Sequence, residues 1–150
     1  MAYIPFHHIC PKIAEQETRV ISILHNGNEF GLPVGDYAFV ELFCDECDCR
    51  RVFLHVFRNQ KNEATIAYGW ESLSFYRNEF KGFSEKDIKE LKGPTLDLFQ
   101  YQSKISGGIL KLFNKILFLD KAYLARIERH YKQFKKMLDN PDDADPERPV

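Results

Sequence analysis

Two stretches of alternating side chains, Asp36 to Phe43 and Arg51 to Phe57, flank the segment CDECDCR, and no other feature of the chain restricts its fold as tightly. In the first stretch Tyr37, Phe39, Glu41 and Phe43 fall on one face and Ala38, Val40 and Leu42 on the other. In the second, Val52, Leu54 and Val56 oppose Phe53, His55 and Phe57. Successive side chains of a pleated backbone point to opposite faces, so period-two alternation marks a strand. A connection this short can only reverse the chain, which predicts an antiparallel hairpin with the cysteine segment at its tip.

Two further runs extend the sheet. ETRVISILH, from Glu17, is β-branched and alternating and stops at the turn signal Asn26-Gly27-Asn28, while Ala64 to Trp70 follows a polar turn over Asn59 to Asn62. No connection among these runs is long enough to hold a crossover helix, which rules out a parallel arrangement. The expectation is a four-stranded antiparallel meander. Residues 1 to 16 read as an extended arm entering a short turn.

Beyond Trp70 the pattern becomes helical. ESLSFYRNEF is weakly helical, and SEKDIKELK opens on a Ser84 cap with Asp87 three residues later and is stopped by Gly93-Pro94. Ile105 to Phe118 is apolar at helical spacing, with Gly107-Gly108 at a helix start or hinge. Asp120 to Leu138 carries Tyr123, Leu124, Ile127, Tyr131, Phe134 and Leu138 on one stripe. The fold class is therefore α+β, with the helical C-terminal half covering one face of the sheet. With 150 residues, 44% of them hydrophobic, the chain can bury a single core. The division expected is one domain over 1–138 and an acidic tail over 139–150, whose prolines and carboxylates leave too little apolar surface to offset ordering.

Cys44, Cys47 and Cys49 form the pattern C-x2-C-x-C, which resembles a zinc knuckle over about six residues. A tetrahedral ion about 2.3 Å from each sulfur requires such clustering on a tight turn. The fourth ligand must come from elsewhere: Cys10 is the natural candidate, with His7 and His8 just before it as substitutes. Unmetallated thiols and a disulfide from Cys10 to the turn are the alternatives. Asp45, Glu46 and Asp48 would raise the thiol pKa values while Arg50 and Arg51 would lower them, so a reactive thiolate is not indicated. Four thiolates around zinc would make a poor Lewis acid, and this favours a structural ion over a catalytic one.

Other constellations are weaker. His55 is expected on the same face as Glu41 and Phe39, where a lone His among aromatics is an ordinary half-buried residue. Tyr37, Phe39, Phe43, Phe53 and Phe57 are expected to line one sheet face and the aliphatic residues the other. The helix from Lys121 to Lys136 has a net charge of +5 and could lie along phosphates, chiefly through Arg126, Arg129, Lys132 and Lys136. Its bland counterpart is a solvated face. The signatures of phosphate loops, nucleophile-elbow hydrolases and zinc nucleobase deaminases are absent.

The net charge of −1 divides into about +3 over the first 138 residues and −4 over the last twelve. No whole-molecule case for nucleic acid follows from it. The opening MAYIPFHHICPK has neither a cationic n-region nor an apolar h-region, and no run approaches a membrane span, which predicts a cytoplasmic protein with reduced cysteines. The functional reading is a small zinc-stabilised binding or adaptor module without catalytic residues, met by a protein partner. Nucleic-acid binding through the basic helix and a zinc or thiol enzyme centred on the cysteines are its rivals.

Overall fold

The computed structural model describes residues 2–140. The acidic tail expected from Asp139 lies outside the described residues from position 141 onward. Strand β1 (Tyr3–Pro5) is followed by helices α1 (Phe6–Ile9) and α2 (Pro11–Glu17), then by strands β2 (Arg19–Ile23), β3 (Gly35–Cys44), β4 (Arg51–Arg58) and β5 (Lys61–Gly69). Helices α3 (Leu73–Glu79) and α4 (Glu85–Lys92) lead to a short strand β6 (Thr95–Leu96). Helix α5 (Ser106–Leu112) runs into a π-helical turn over Phe113–Leu117, and α6 (Lys121–Asp139) ends the described chain. Among the described residues no helix is long and apolar enough to cross a membrane.

The molecule is α+β, with an antiparallel sheet of six strands rather than four. The order is β1-β3-β4-β5-β6, with β2 also paired to β3. The additional strands are short. β1 extends the edge of β3 over Leu42 to Cys44, and β6 pairs with Ile66 and Ala67 of β5. The tight reversal between β4 and β5 places Asn59 and Gln60 at φ of 52° and 65°, the positive values that a two-residue hairpin turn requires at both central positions. Residues 1–16, expected as an extended arm, instead form β1 and two short helices. Pro11 stands at the start of α2, where its fixed φ suits a helix and its missing N–H costs nothing.

Register decides the two faces. Glu41 pairs with Leu54 and Phe39 with Val56, so Tyr37, Phe39, Glu41 and Phe43 share a face with Val52, Leu54, Val56 and Ile66. Helices α5 and α6 cover this mixed face: Phe113 packs on Phe39 and Tyr68, and Tyr131 and Phe134 pack on Phe43. Phe53, His55 and Phe57 lie on the other face, only half-buried. The expected segregation of aromatic from aliphatic side chains is thus corrected, as is the expected pairing of His55 with Glu41; His55 stands opposite Val40. Alternation assigns faces within a strand, while the relative phase of two strands depends on how many residues the connecting loop consumes.

Helix starts follow their caps. Ser72 Oγ accepts from Phe75 N, Ser84 Oγ from Asp87 N, and Asp120 Oδ1 from Tyr123 N. Gly107 and Gly108 lie in the first turn of α5, and Gly108 is there because a Cβ would collide with the carbonyl oxygen of Phe30.

Candidate metal centre

Cys44 closes β3, Cys49 precedes the first residues of β4, and Cys47 sits at the crest of the loop between them. Cys44 and Cys49 are buried and Cys47 half-buried, and the three Sγ atoms lie within 4.8 Å of one another. A tetrahedral ion with bonds of about 2.3 Å holds sulfurs about 3.8 Å apart, so the triad is one small side-chain adjustment from a ligand set. The backbone already curls as a knuckle does: Cys47 N donates to Cys44 Sγ at 3.3 Å.

Three elements pin this loop from different sides. From α6, Lys135 Nζ donates to the carbonyl oxygens of Cys44 (2.7 Å) and Cys47 (2.6 Å), and the Tyr131 hydroxyl donates to Asp48 at 2.5 Å. From the N-terminal edge, Ala2 and Asp45 exchange two hydrogen bonds, and the Tyr3 hydroxyl lies 3.6 Å from Cys49 Sγ. From the α3 side, the Tyr76 hydroxyl donates to Arg50 O at 2.7 Å. Arg50 occupies the left-handed region at φ 51°, where a non-glycine residue is strained. Its guanidinium is held by Asp48 (3.0 Å) and over the ring of Phe75 (4.6 Å).

Burial, together with the neighbouring Cys44 and Cys49, pushes the Cys47 thiol well above its ordinary pKa. Burial and then Cys49 do the same for the Tyr3 phenol, so its hydroxyl stays protonated beside the sulfur. Asp48 is held below the ordinary carboxylate range, first by Arg50 and then by Tyr131. Cys47 so placed is a poor nucleophile as a thiol, while a dication held by the three sulfurs would favour the charged form that burial opposes.

Cys10 is not brought into this group. It is buried at the junction of α1 and α2, within the hydrophobic core beside Phe6 and Ile9. The four cysteines form no disulfide. His7 and His8 are exposed and pack on each other. Of the basic residues singled out on α6, Arg126 donates to Glu17 O and Arg129 pairs with the Glu17 carboxylate, while Lys132 and Lys136 are exposed.

A second constellation escapes the reading of local motifs. His130, fully buried on α6, has Nδ1 2.7 Å from Glu41 and Nε2 3.0 Å from Glu17, with the ring of Phe6 stacked on it at 4.4 Å. Two such hydrogen bonds need two protons, either one on each ring nitrogen or one on the ring and one on Glu41, whose carboxyl burial shifts upward. Glu17 is held down at about 2, chiefly by its hydrogen bond from Arg129. The signal was present in the sequence. A carboxylate on the same face as Phe39 and Phe43 needs a buried partner, and His130 falls within the inward stripe of α6.

These features define a small α+β domain whose cysteine triad is close enough to hold a metal ion. Comparison with protein-family models, with characterised proteins and with solved structures returns no match.

Proposed function

We propose that the protein is a metal-stabilised binding module of the cytoplasm, without catalytic chemistry, in which Cys44, Cys47 and Cys49 hold a structural zinc ion. The observation that carries this reading is the convergence of the three sulfurs within 4.8 Å on a loop fastened from three sides. A thiolate-rich donor set suits zinc, and such an ion supplies folding energy rather than substrate activation. The fourth ligand that closes such a structural site would be Cys10, reached by a shift of the N-terminal segment. The Glu41, His130 and Glu17 constellation supports the non-catalytic reading, because its His and Glu41 are sealed in the core and reach no substrate.

Elemental mass spectrometry of protein purified without chelator tests the proposal. About one zinc per chain, lost together with thermal stability in Cys47→Ser, is the expected result. Metal-free protein with four titratable thiols and the same melting temperature in Cys47→Ser refutes it.

A further inference from the structure

We infer that the groove beside edge strand β6 is the docking site of this module, and that its occupant is a chain segment carrying apolar side chains among lysines or arginines. The inference rests on the reading of the protein as a binding module, and concerns a surface separate from the cysteines.

The groove encloses about 710 Å3, within the range of about 300 to 1,000 Å3 typical of ligand sites. Phe53 and Ala67, on the sheet face that α5 and α6 leave open, contribute to its lining, α4 lines it through Leu91, and Leu96 belongs to β6. Its apolar surface continues outward. Phe83 is 51% exposed, Leu98 82% and Phe99 fully exposed, all three lining the groove. Contiguous exposed apolar groups of this size mark interaction sites. A segment of polypeptide laid along the groove can cover Phe83, Leu98 and Phe99 together.

Charge selects the kind of segment. Asp87, Glu90 and Asp97 line the groove, and none has a cationic partner among the described residues. Arg51, the one lining cation among the described residues, is buried and engaged: it donates to Leu91 O at 2.8 Å and to the Tyr3 hydroxyl at 3.4 Å, and lies over the Phe53 ring at 5.4 Å. An apolar groove lined by three carboxylates that have no cationic partner among the described residues attracts basic side chains and repels acidic ones. Arg51 also ties the groove to the knuckle, since Tyr3 sits between it and Cys49.

The test is selection of a displayed library of random linear peptides on the full chain, followed by affinity measurement on wild type, on Glu90→Lys, and on the double variant Leu98→Ser with Phe99→Ser. Leu98 and Phe99 are exposed, so the double variant keeps the fold, which circular dichroism verifies. Enriched peptides are expected to combine net positive charge with apolar anchors, to bind each variant about tenfold or more weakly, and to weaken as salt rises. Enrichment of neutral or acidic peptides, unchanged binding by the variants, or no enrichment overturns the inference. So does a wild-type dimer that the double variant dissolves, which would make a second copy the occupant. Metal content is measured on the same preparations, so metal-free protein that still selects basic peptides refutes the zinc and leaves the groove, while zinc-loaded protein that selects none does the reverse.

Discussion

At the residue scale the most consequential group is His130, because it lets a sheet carboxylate exist inside an aromatic core. Removing one partner leaves the other buried polar group without its hydrogen bond, at a cost of about 1 to 3 kcal/mol, and more where that group is charged. His130→Leu should therefore lower the urea unfolding free energy by about 3 kcal/mol, and the double change with Glu41→Leu should recover much of it. Glu17 has the opposite relation to pH. Its folded pKa of about 2 lies below the ordinary glutamate value of about 4.5, so its contribution is fully present above the unfolded value and is lost as pH falls from about 4.5 toward 2. Melting temperatures taken across that window should fall more steeply for wild type than for Glu17→Gln, whose curve lacks this proton uptake; parallel curves would show that the pairing with Arg129 carries no net stability.

At the scale of elements, local grammar was enough for the long pieces and failed for the short ones. Alternation placed β3, β4 and β5 within a few residues, Ser84 and Gly93 delimited α4, and the apolar stripe located α6. Two-residue β6 and three-residue β1 have no periodicity to detect; they exist because the β5 and β3 edges offer unpaired backbone groups. The face assignment of β4 was lost for a related reason, since the loop from Asp45 to Arg50 shifts the phase by one residue and alternation alone cannot see it. The triad itself was legible from spacing, whereas the place of Cys10 in the core follows from the packing of α1 on α6 and β3, a tertiary fact.

Two elements allow direct tests. A Cβ at position 108 would meet the Phe30 carbonyl oxygen and the Leu32 side chain, so Gly108→Ala should destabilise by about 1 to 3 kcal/mol despite alanine's better helix propensity. The second concerns α6 as a clamp. Lys135 holds the backbone carbonyls of Cys44 and Cys47, and groups that orient metal ligands typically change metal affinity by about 10- to 100-fold. Lys135→Met should weaken zinc binding by about tenfold in competition with a chromogenic chelator, with the zinc stoichiometry unchanged.

For the whole molecule, the question is how far the loss of the proposed ion would propagate. The core does not depend on the triad: Phe39, Phe43, Leu54, Ile66, Phe113, Ile127 and Phe134 are buried against one another, and β3, β4 and β5 hydrogen-bond along their length. The edge does depend on it. β1 is three residues long, and its approach is fixed by the loop through the Ala2 and Asp45 exchange and the contact of Tyr3 with Cys49. A short edge strand opens locally at a cost far below that of global unfolding. Chelation should therefore accelerate amide hydrogen exchange most in residues 2–5 and 44–50, and much less in β4 and β5, whose amides open only with the whole fold. Because Tyr3 also contacts Arg51, the effect should reach the groove and lower its affinity for basic peptides without abolishing it. Exchange that accelerates uniformly across β4 and β5 would mean that the ion holds the whole fold together; exchange unchanged at 44–50 would mean that no ion was there to remove.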